Sequence, residues 1–366
     1  MIVWLALAGV LAALAATLPL RWAAGIVVTC LPLSGTAVFM LGGDPIILPL
    51  VVTLGFLGRH AISLLSKPLL EQFLALTKSE VLMLGFAAYC VISGLLFPRV
   101  FAGETVVIPQ SGHAITLSAG QASIVQIAYL LFGVWLYLAL RQTMLRKGLE
   151  FIVSAILVQI GLFAGYGLLQ ALFGIAHVPV STAWIVNNQG YALLTQVAIG
   201  GFARVTSVFV EASAYAAWAT GAAALCYALY VNRVLPMLSL AMLALTGVTL
   251  LLSTSSTAYV GLLIVGVFAL LYAVLDSDRK RHERGLIVVL AGMFLAMGAL
   301  ILVYSAEEGL LAGLRTMIEE MTVRKSTSAS GLERARWAQS AVQNALDTGL
   351  LGVGYGAARS SGDRKS

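Results

Sequence analysis

GGFARVTSVFVEASAY, residues 200–215, is a short polar segment between two long apolar runs. It brings Arg204 and Glu211 to the start of an apolar run in a chain of which only 10% is charged. Ionisable groups at such positions in a membrane protein are costly, so those that are kept commonly serve a function. The rest of the sequence is therefore interpreted as a scaffold for this segment and for a second basic segment, residues 334–356.

The composition is that of an integral membrane protein. Of the 366 residues 60% are hydrophobic, and the mean hydropathy of +0.95 is far above that of a soluble domain. Loops and open strands cannot satisfy their backbone polar groups in lipid, so each long apolar run is predicted to be a helix. We predict an all-α polytopic membrane protein, a bundle of about ten transmembrane helices with a loop region on its outer face. The predicted helices cover residues 1–20, 23–41, 45–57, 81–97, 123–140, 151–173, 213–231, 235–252, 258–275 and 286–304.

Clusters of lysine and arginine predict the orientation of the bundle, since such clusters stay on the cytoplasmic side. The connectors 59–78, 141–147 and 276–284 are basic and are placed in the cytoplasm. An even number of predicted helices separates the last two, so both face the same side. The resulting division is a bundle with two outer loops and an outer segment: residues 1–304, 98–122, 174–212 and 305–366.

The cysteines and histidines show no pattern of a metal site. The three cysteines lie in apolar runs without CxxC spacing, and the four histidines share no paired spacing. We therefore expect no disulfide, no metal and no other cofactor. The net charge of +6 lies mostly in short loops, where it indicates topology, and we expect no nucleic-acid partner.

Two segments of the outer side have patterns of their own. Residues 101–120 alternate apolar and polar residues between glycines, which predicts a small hairpin. Residues 332–346 are predicted to form a helix that ends near Gly349, because glycine commonly follows a helix end. The helix gathers small apolar residues on one face: Ala335, Ala338, Ala341, Val342, Ala345 and Leu346.

The arginines of the outer side are candidate phosphate ligands. Arg204, Arg334 and Arg336 each have apolar neighbours or lie in an ordered-looking segment. Arginine offers a planar, permanently charged fork that suits phosphate oxygens, which favours an anionic, phosphorylated partner. The alternative for each is contact with lipid headgroups or a solvated face.

Glu211 follows Arg204 by seven residues, about two turns of a helix, or opposite faces of an extended chain. Two interpretations therefore stay open: a structural ion pair, and a catalytic general base. Residues 253–257 (STSST) form a second polar interruption, which either caps and packs helices or faces the same outer region as Arg204.

Three segments together resemble the O-antigen polymerase and ligase superfamily of bacterial envelope enzymes. Residues 203–218 (ARVTSVFVEASAYAAW) resemble the family's arginine and phenylalanine before a span, and 251–264 (LLSTSSTAYVGLLI) its Ser-rich span start. The most specific segment is 333–356 (ERARWAQSAVQNALDTGLLGVGYG), which resembles the family's Arg/Trp helix and glycine-rich turn.

The resemblance implies a metal-independent glycosyltransferase in the bacterial inner membrane, multi-pass, with its site at the periplasmic face. The donor would be a glycan on undecaprenyl diphosphate, and the acceptor another glycan or the lipid A core. Arg204, together with Arg334 or Arg336, would neutralise the leaving diphosphate, while Glu211 is our candidate catalytic base. Besides the lipid bilayer, other envelope polysaccharide assembly proteins are expected partners.

The leading hypothesis is a polysaccharide polymerase, and three alternatives stay open: an O-antigen ligase, a transporter of lipid-linked sugars, and a noncatalytic partner of an envelope assembly. The family often has an arginine where this chain has Ser256 and Thr257. Its ligases carry a histidine beyond the glycine-rich turn, whereas no histidine follows His282 here. This difference favours a polymerase. Two interpretations of the outer segment 305–366 stay open: it is truncated, or the part that the ligases carry beyond it is dispensable in this branch of the family.

Overall fold

A computed structural model describes residues 2–41, 44–108, 115–176, 178, 180–188, 198–199, 202–275 and 329–357. The predicted helix 286–304 and the basic connector 276–284 lie outside the described residues.

Helices make up most of the described chain. In order they are α1 (Ile2–Thr17), α2 (Leu20–Cys30), α3 (Leu48–Ser63), α4 (Lys67–Leu74), α5 (Lys78–Val100), α6 (Gln121–Lys147), α7 (Glu150–Ile175), α8 (Ala212–Val231), α9 (Pro236–Leu252), α10 (Ser256–Leu275) and α11 (Ala329–Asp347). The strands are β1 (Ala37–Leu41), β2 (Asp44–Ile47), β3 (Val106–Val107), β4 (Ile115–Thr116), β5 (Ala198–Ile199) and β6 (Phe202–Ala203).

The described helices support a membrane protein. Four of them, α5 to α8, are long and apolar enough to cross a membrane. Further apolar helices are shorter: α1, α2, α3, α9 and the part of α10 from Ser256 to Ala269. The predicted count of about ten spanning helices is not confirmed.

The predicted helix 23–41 is wrong beyond Cys30, where α2 ends. Pro32 follows closely and has no backbone N–H with which to continue the helical ladder. The chain then makes a 3₁₀ turn and enters β1 instead. The next helix, α3, begins at Leu48, within the range 45–57 that was predicted for it.

The described chain is mostly helical, as predicted, and short sheets accompany the helices. Three antiparallel two-stranded sheets occur in the described chain. In the first, β1 pairs with β2, and Ala37 lies opposite Ile47. The pairing of β3 with β4, with Val106 opposite Thr116, confirms the hairpin that the pattern in residues 101–120 predicted.

The chain forms two compact units, and each is described by itself. The first contains Met1–Arg59 and Lys147–Val323, and the second contains His60–Arg146 and Arg324–Ser366. Arg204 and Glu211 therefore belong to the first unit, whereas Arg334 and Arg336 belong to the second. The predicted division of the chain at residue 304 stays a prediction.

The first unit packs around α8, whose many alanines let neighbouring helices approach closely. Tyr215 is fully buried, and its hydroxyl donates to Oγ1 of Thr249 on α9 at 2.5 Å. On the other side, Gly261 of α10 lies so close to Thr220 that an added Cβ would be 2.8 Å from its Cγ2. This packing fixes the start of α8, and with it the end of the segment that carries Arg204.

In the second unit, α5 and α6 meet at the ends that the charge pattern places in the cytoplasm. Thr77 and Glu80 form a capping box at the start of α5. Glu80 also pairs with Arg141 near the end of α6, at 2.5 Å. The contact joins the start of α5 to the connector 141–147 near the end of α6, and the orientation predicted for this side stays a prediction.

Candidate functional site

Residues 204–211 connect β6 to α8, and Gln170 of α7 holds them. The side-chain oxygen of Gln170 accepts from the backbone N–H groups of Thr206, at 3.0 Å, and Ser207, at 2.9 Å. Its amide nitrogen donates to Oγ1 of Thr206 at 3.2 Å. One glutamine side chain therefore makes three hydrogen bonds to two consecutive residues, which lie just after Arg204.

The same segment contains a left-handed turn. Ser207 has φ of +51°, which is uncommon for a residue with a side chain, and its hydroxyl donates to the carbonyl of Phe163 at 2.6 Å. Gly167 of α7 gives the turn room, because a Cβ there would lie 3.0 Å from Cγ1 of Val205. Helix α7 thus shapes the backbone that presents Arg204.

The guanidinium of Arg204 is half-buried and incompletely satisfied. Its Nε atom is buried and has no hydrogen-bond partner among the described residues. Burial lowers the pKa of Arg204, while Glu211 and Tyr259 act in the opposite direction. Buried polar groups are nearly always hydrogen-bonded in proteins, so this atom is prepared for a partner from outside the described chain.

Glu211 is the residue that precedes α8, with an extended backbone. Its carboxylate does not cap the helix but accepts a hydrogen bond from the hydroxyl of Ser213. Within the described part of the chain, Glu211 forms no ion pair with Arg204. The carboxylate is half-buried and can accept further hydrogen bonds, as a general base would need to. Its role as a general base stays a prediction.

The Ser-rich segment 253–257 lies beside Arg204. The carbonyl of Leu252 accepts from the backbone N–H of Val205 at 3.4 Å, and Tyr259 is near enough to act on the pKa of Arg204. Ser253 also closes the end of α9 through a bond to the carbonyl of Leu250 at 2.7 Å. Both interpretations of this segment therefore have support: it ends a helix, and it faces the Arg204 region.

In the second unit, α11 ends at Asp347 and is followed by Gly349 with φ of +61°, as predicted. Arg334 and Arg336 lie on its exposed surface and show no hydrogen bond or ion pair to described residues. The apolar face does not pack in the core, since Val342 is 62% and Leu346 61% exposed.

A polar edge of α11 is buried instead of its apolar face. Asn344 is only 6% exposed, and its side-chain oxygen lies 2.8 Å from Oγ1 of Thr105. The same hydroxyl lies 2.8 Å from a carboxylate oxygen of Asp347. A hydroxyl donates only once, so it donates to Asp347 and accepts from the Asn344 amide with that amide flipped. The contact joins α11 to the β3–β4 end of the unit.

In the glycine-rich turn, the backbone packs directly against two helices of the second unit. Gly354, with φ of +95°, lies against the carbonyl of Ser93 in α5, and Gly356, with φ of +76°, lies against Gln126 in α6. A Cβ at Gly356 would be 2.8 Å from Cβ of Gln126. These glycines serve packing within the second unit.

No protein-family model, curated protein or solved structure matches this chain. The resemblance to the O-antigen polymerase and ligase superfamily therefore stays a prediction. The roles of Arg204, Arg334, Arg336 and Glu211 also stay predictions. In the described ranges, no three His, Cys, Asp or Glu side chains form a metal-binding group.

Sequence reasoning missed several residues that shape the Arg204 region. Gln170 and Gly167 lie inside a long apolar run, and Ser213 and Tyr259 lie at the starts of helices. A polar residue inside a predicted span is a recognised signal of function, and Gln170 carried that signal. Its partners could not be predicted, because they depend on which loop meets α7.

Proposed function

We propose that this chain is a membrane glycosyltransferase that polymerises oligosaccharide repeat units carried on undecaprenyl diphosphate. The reaction takes place at the periplasmic face of a bacterial inner membrane, and the acceptor is the end of another glycan. Such a transfer releases a diphosphate, whose developing charge has to be neutralised by positive groups.

The state of Arg204 is the observation that carries the proposal. Its guanidinium is partly withdrawn from water, and its Nε atom has no partner in the described chain. The backbone of Thr206 and Ser207, just after it, is held by Gln170 of α7. Leaving a charged donor in this state is costly unless a ligand completes it. A diphosphate oxygen is the acceptor that an arginine fork fits best.

The proposed chemistry uses two residues of the first unit. The acceptor hydroxyl attacks the anomeric carbon of the donor and forms the new glycosidic bond, while the bond between that carbon and the diphosphate oxygen breaks. Glu211 accepts the proton of the hydroxyl as general base. The bonding electron pair leaves with the diphosphate, and Arg204 stabilises its charge.

Arg334 and Arg336 are proposed as further phosphate ligands in their own unit. Their exposure supports access for a large lipid-linked substrate, and it equally suits contact with lipid headgroups. Neither arginine has a buried donor without a partner, as Arg204 has, so they give the proposal weaker support than Arg204 does.

The test is glycan chain length in a strain that depends on this gene. Wild type, Arg204→Ala and the control Arg21→Ala are compared at matched membrane levels; Arg21 is an exposed arginine that lies over the Trp22 ring. We expect Arg204→Ala to leave mostly single repeat units, since losing one such electrostatic contact lowers a rate by about a hundredfold. The control should make chains of normal length.

Other outcomes contradict the proposal and identify its alternatives. Normal chain length in Arg204→Ala would make Arg204 structural. If the gene is deleted and long chains persist on the carrier lipid without reaching lipid A core, the protein is a ligase. If single lipid-linked repeats stay on the cytoplasmic side, it is a transporter.

A further inference from the structure

We infer that Gln170 is a positioning residue, whose side-chain amide fixes the direction in which Arg204 presents its guanidinium. This inference rests on the proposed function, because the direction of Arg204 matters only if an anion binds there. It assigns the role to a residue of α7 that lies thirty-four positions before Arg204 in the chain.

The hydrogen bonds of Gln170 replace water that cannot reach this turn. Thr206 and Ser207 are both fully buried, and Gln170 accepts from both of their backbone N–H groups. Without that oxygen, two buried donors would be left unpaired. An unpaired buried donor costs more free energy than a hydrogen bond of which both partners are removed. The turn would then have to rearrange to expose them.

The turn is also unable to hold its own shape. Ser207 has φ of +51°, and such a conformation persists only where surrounding contacts impose it. The other backbone tether beside Arg204, from Val205 to the carbonyl of Leu252, is long at 3.4 Å. The short restraints on the residues that follow Arg204 are therefore the bonds from Gln170 and the bond from the Ser207 hydroxyl to the carbonyl of Phe163 at 2.6 Å, and of these Gln170 alone satisfies the backbone N–H groups of Thr206 and Ser207.

Gln159 provides a matched control in the same helix. Its side chain donates to the carbonyl of Val28 and accepts from Nε1 of Trp218 at 3.4 Å. It therefore ties helices together within the first unit, and in the described chain its hydrogen bonds go to Val28 and Trp218 and not to Thr206 or Ser207. Replacing it tests whether any lost glutamine in α7 would disturb Arg204.

The experiment measures the reactivity of Arg204 in the full chain reconstituted in nanodiscs. Phenylglyoxal modification of Arg204 is followed by peptide mass spectrometry, with and without inorganic pyrophosphate, for wild type, Gln170→Met, Gln170→Glu and Gln159→Met. We expect Gln170→Met to raise the modification rate without pyrophosphate about tenfold, since it leaves two buried donors unpaired. Gln170→Glu keeps an acceptor for both N–H groups and should stay near the wild-type rate, as should Gln159→Met.

The outcomes separate this inference from the proposed function. An unchanged rate in Gln170→Met, or an equal rise in Gln159→Met, would overturn the positioning role. If the rate rises as expected but pyrophosphate fails to protect the wild type, Gln170 still holds Arg204 and the phosphate proposal is wrong. Should Gln170→Met not fold, Gln170→Asn shortens the side chain by one methylene, and the same rise is expected of it.

Discussion

The segment 204–211 of the first unit and the turn 349–356 of the second are built in opposite ways. In the first, side chains hold the backbone: Gln170 bonds to Thr206 and Ser207. In the second, the backbone itself packs, because Gly354 and Gly356 leave no room for a side chain against α5 and α6. The arginines differ accordingly, since Arg204 is half-buried with an unpaired nitrogen whereas Arg334 and Arg336 are exposed.

The contrast between these arginines indicates where a ligand is needed. An exposed arginine is satisfied by water, so its position alone does not indicate a partner. A buried donor without a partner does, because the folded chain bears its desolvation cost until something binds. We therefore expect substitutions at the glycine turn to affect folding, and substitutions at Arg204 to affect activity and stability in opposite directions.

The largest effect on stability is expected from Gly354→Ala. Its Cβ would collide with the carbonyl oxygen of Ser93, would lie 3.0 Å from Cδ of Pro98, and would need φ of +95°. We expect a loss of about 3 kcal/mol, which combines overpacking against backbone with the positive φ. Thermal unfolding of the purified chain in detergent measures it.

Gly352→Ala is the control for that substitution. Gly352 also has positive φ, at +80°, but nothing lies within 4 Å of an added Cβ. Gly352→Ala should therefore lower the free energy of unfolding by only about 1 kcal/mol, which is the cost of holding alanine at a positive φ. Equal losses in the two variants would mean that backbone conformation, and not close packing, defines the turn.

A smaller effect is expected from Gly167→Ala, which acts on the Arg204 segment itself. The added Cβ would be 3.0 Å from Cγ1 of Val205 and 3.4 Å from the hydroxyl of Tyr215. We expect a loss of about 1 kcal/mol together with shorter glycan chains, because the turn must shift by a few tenths of an ångström.

Gly165→Ala checks this prediction in the same helix, since no atom lies within 4 Å of its added Cβ. Alanine is the better helix former, so this variant should match or exceed wild-type stability by up to about 1 kcal/mol. Shortened glycan in Gly165→Ala would show that substitutions in α7 disturb activity wherever they lie. The result for Gly167→Ala could then not be attributed to the Arg204 segment.

What the sequence could predict depended on how local the determining contacts are. The end of α11 and the β3–β4 hairpin follow from glycines and alternation within a few residues, and both were predicted. The run 23–41 was misassigned, because apolar content suits a strand as well as a helix, and Pro32 decides between them.

The candidate site was predictable only in part. Arg204 and Glu211 were visible as charges at the edge of an apolar run, but the partners of Gln170 were not. Gln159 and Gln170 look alike in the sequence, since each is a glutamine inside the apolar run of α7. Only the fold shows that one joins helices and the other holds the turn beside Arg204.

Substitution of Arg204 itself separates ligand binding from structure most directly. Arg204→Met keeps much of the side chain's volume and removes the unpaired buried donor, so we expect the unliganded protein to gain about 1 kcal/mol of stability while polymer formation is lost. Arg336→Met, at an exposed position on α11, should leave the unfolding temperature unchanged. If Arg204→Met instead destabilises the protein, Arg204 is satisfied within the folded chain, and the contrast between the two regions disappears. Paired thermal unfolding and glycan-length measurements on the two variants decide between these outcomes. Replacing a structural arginine would lower both stability and activity, whereas replacing a ligand-binding arginine lowers activity and raises the stability of the unliganded protein.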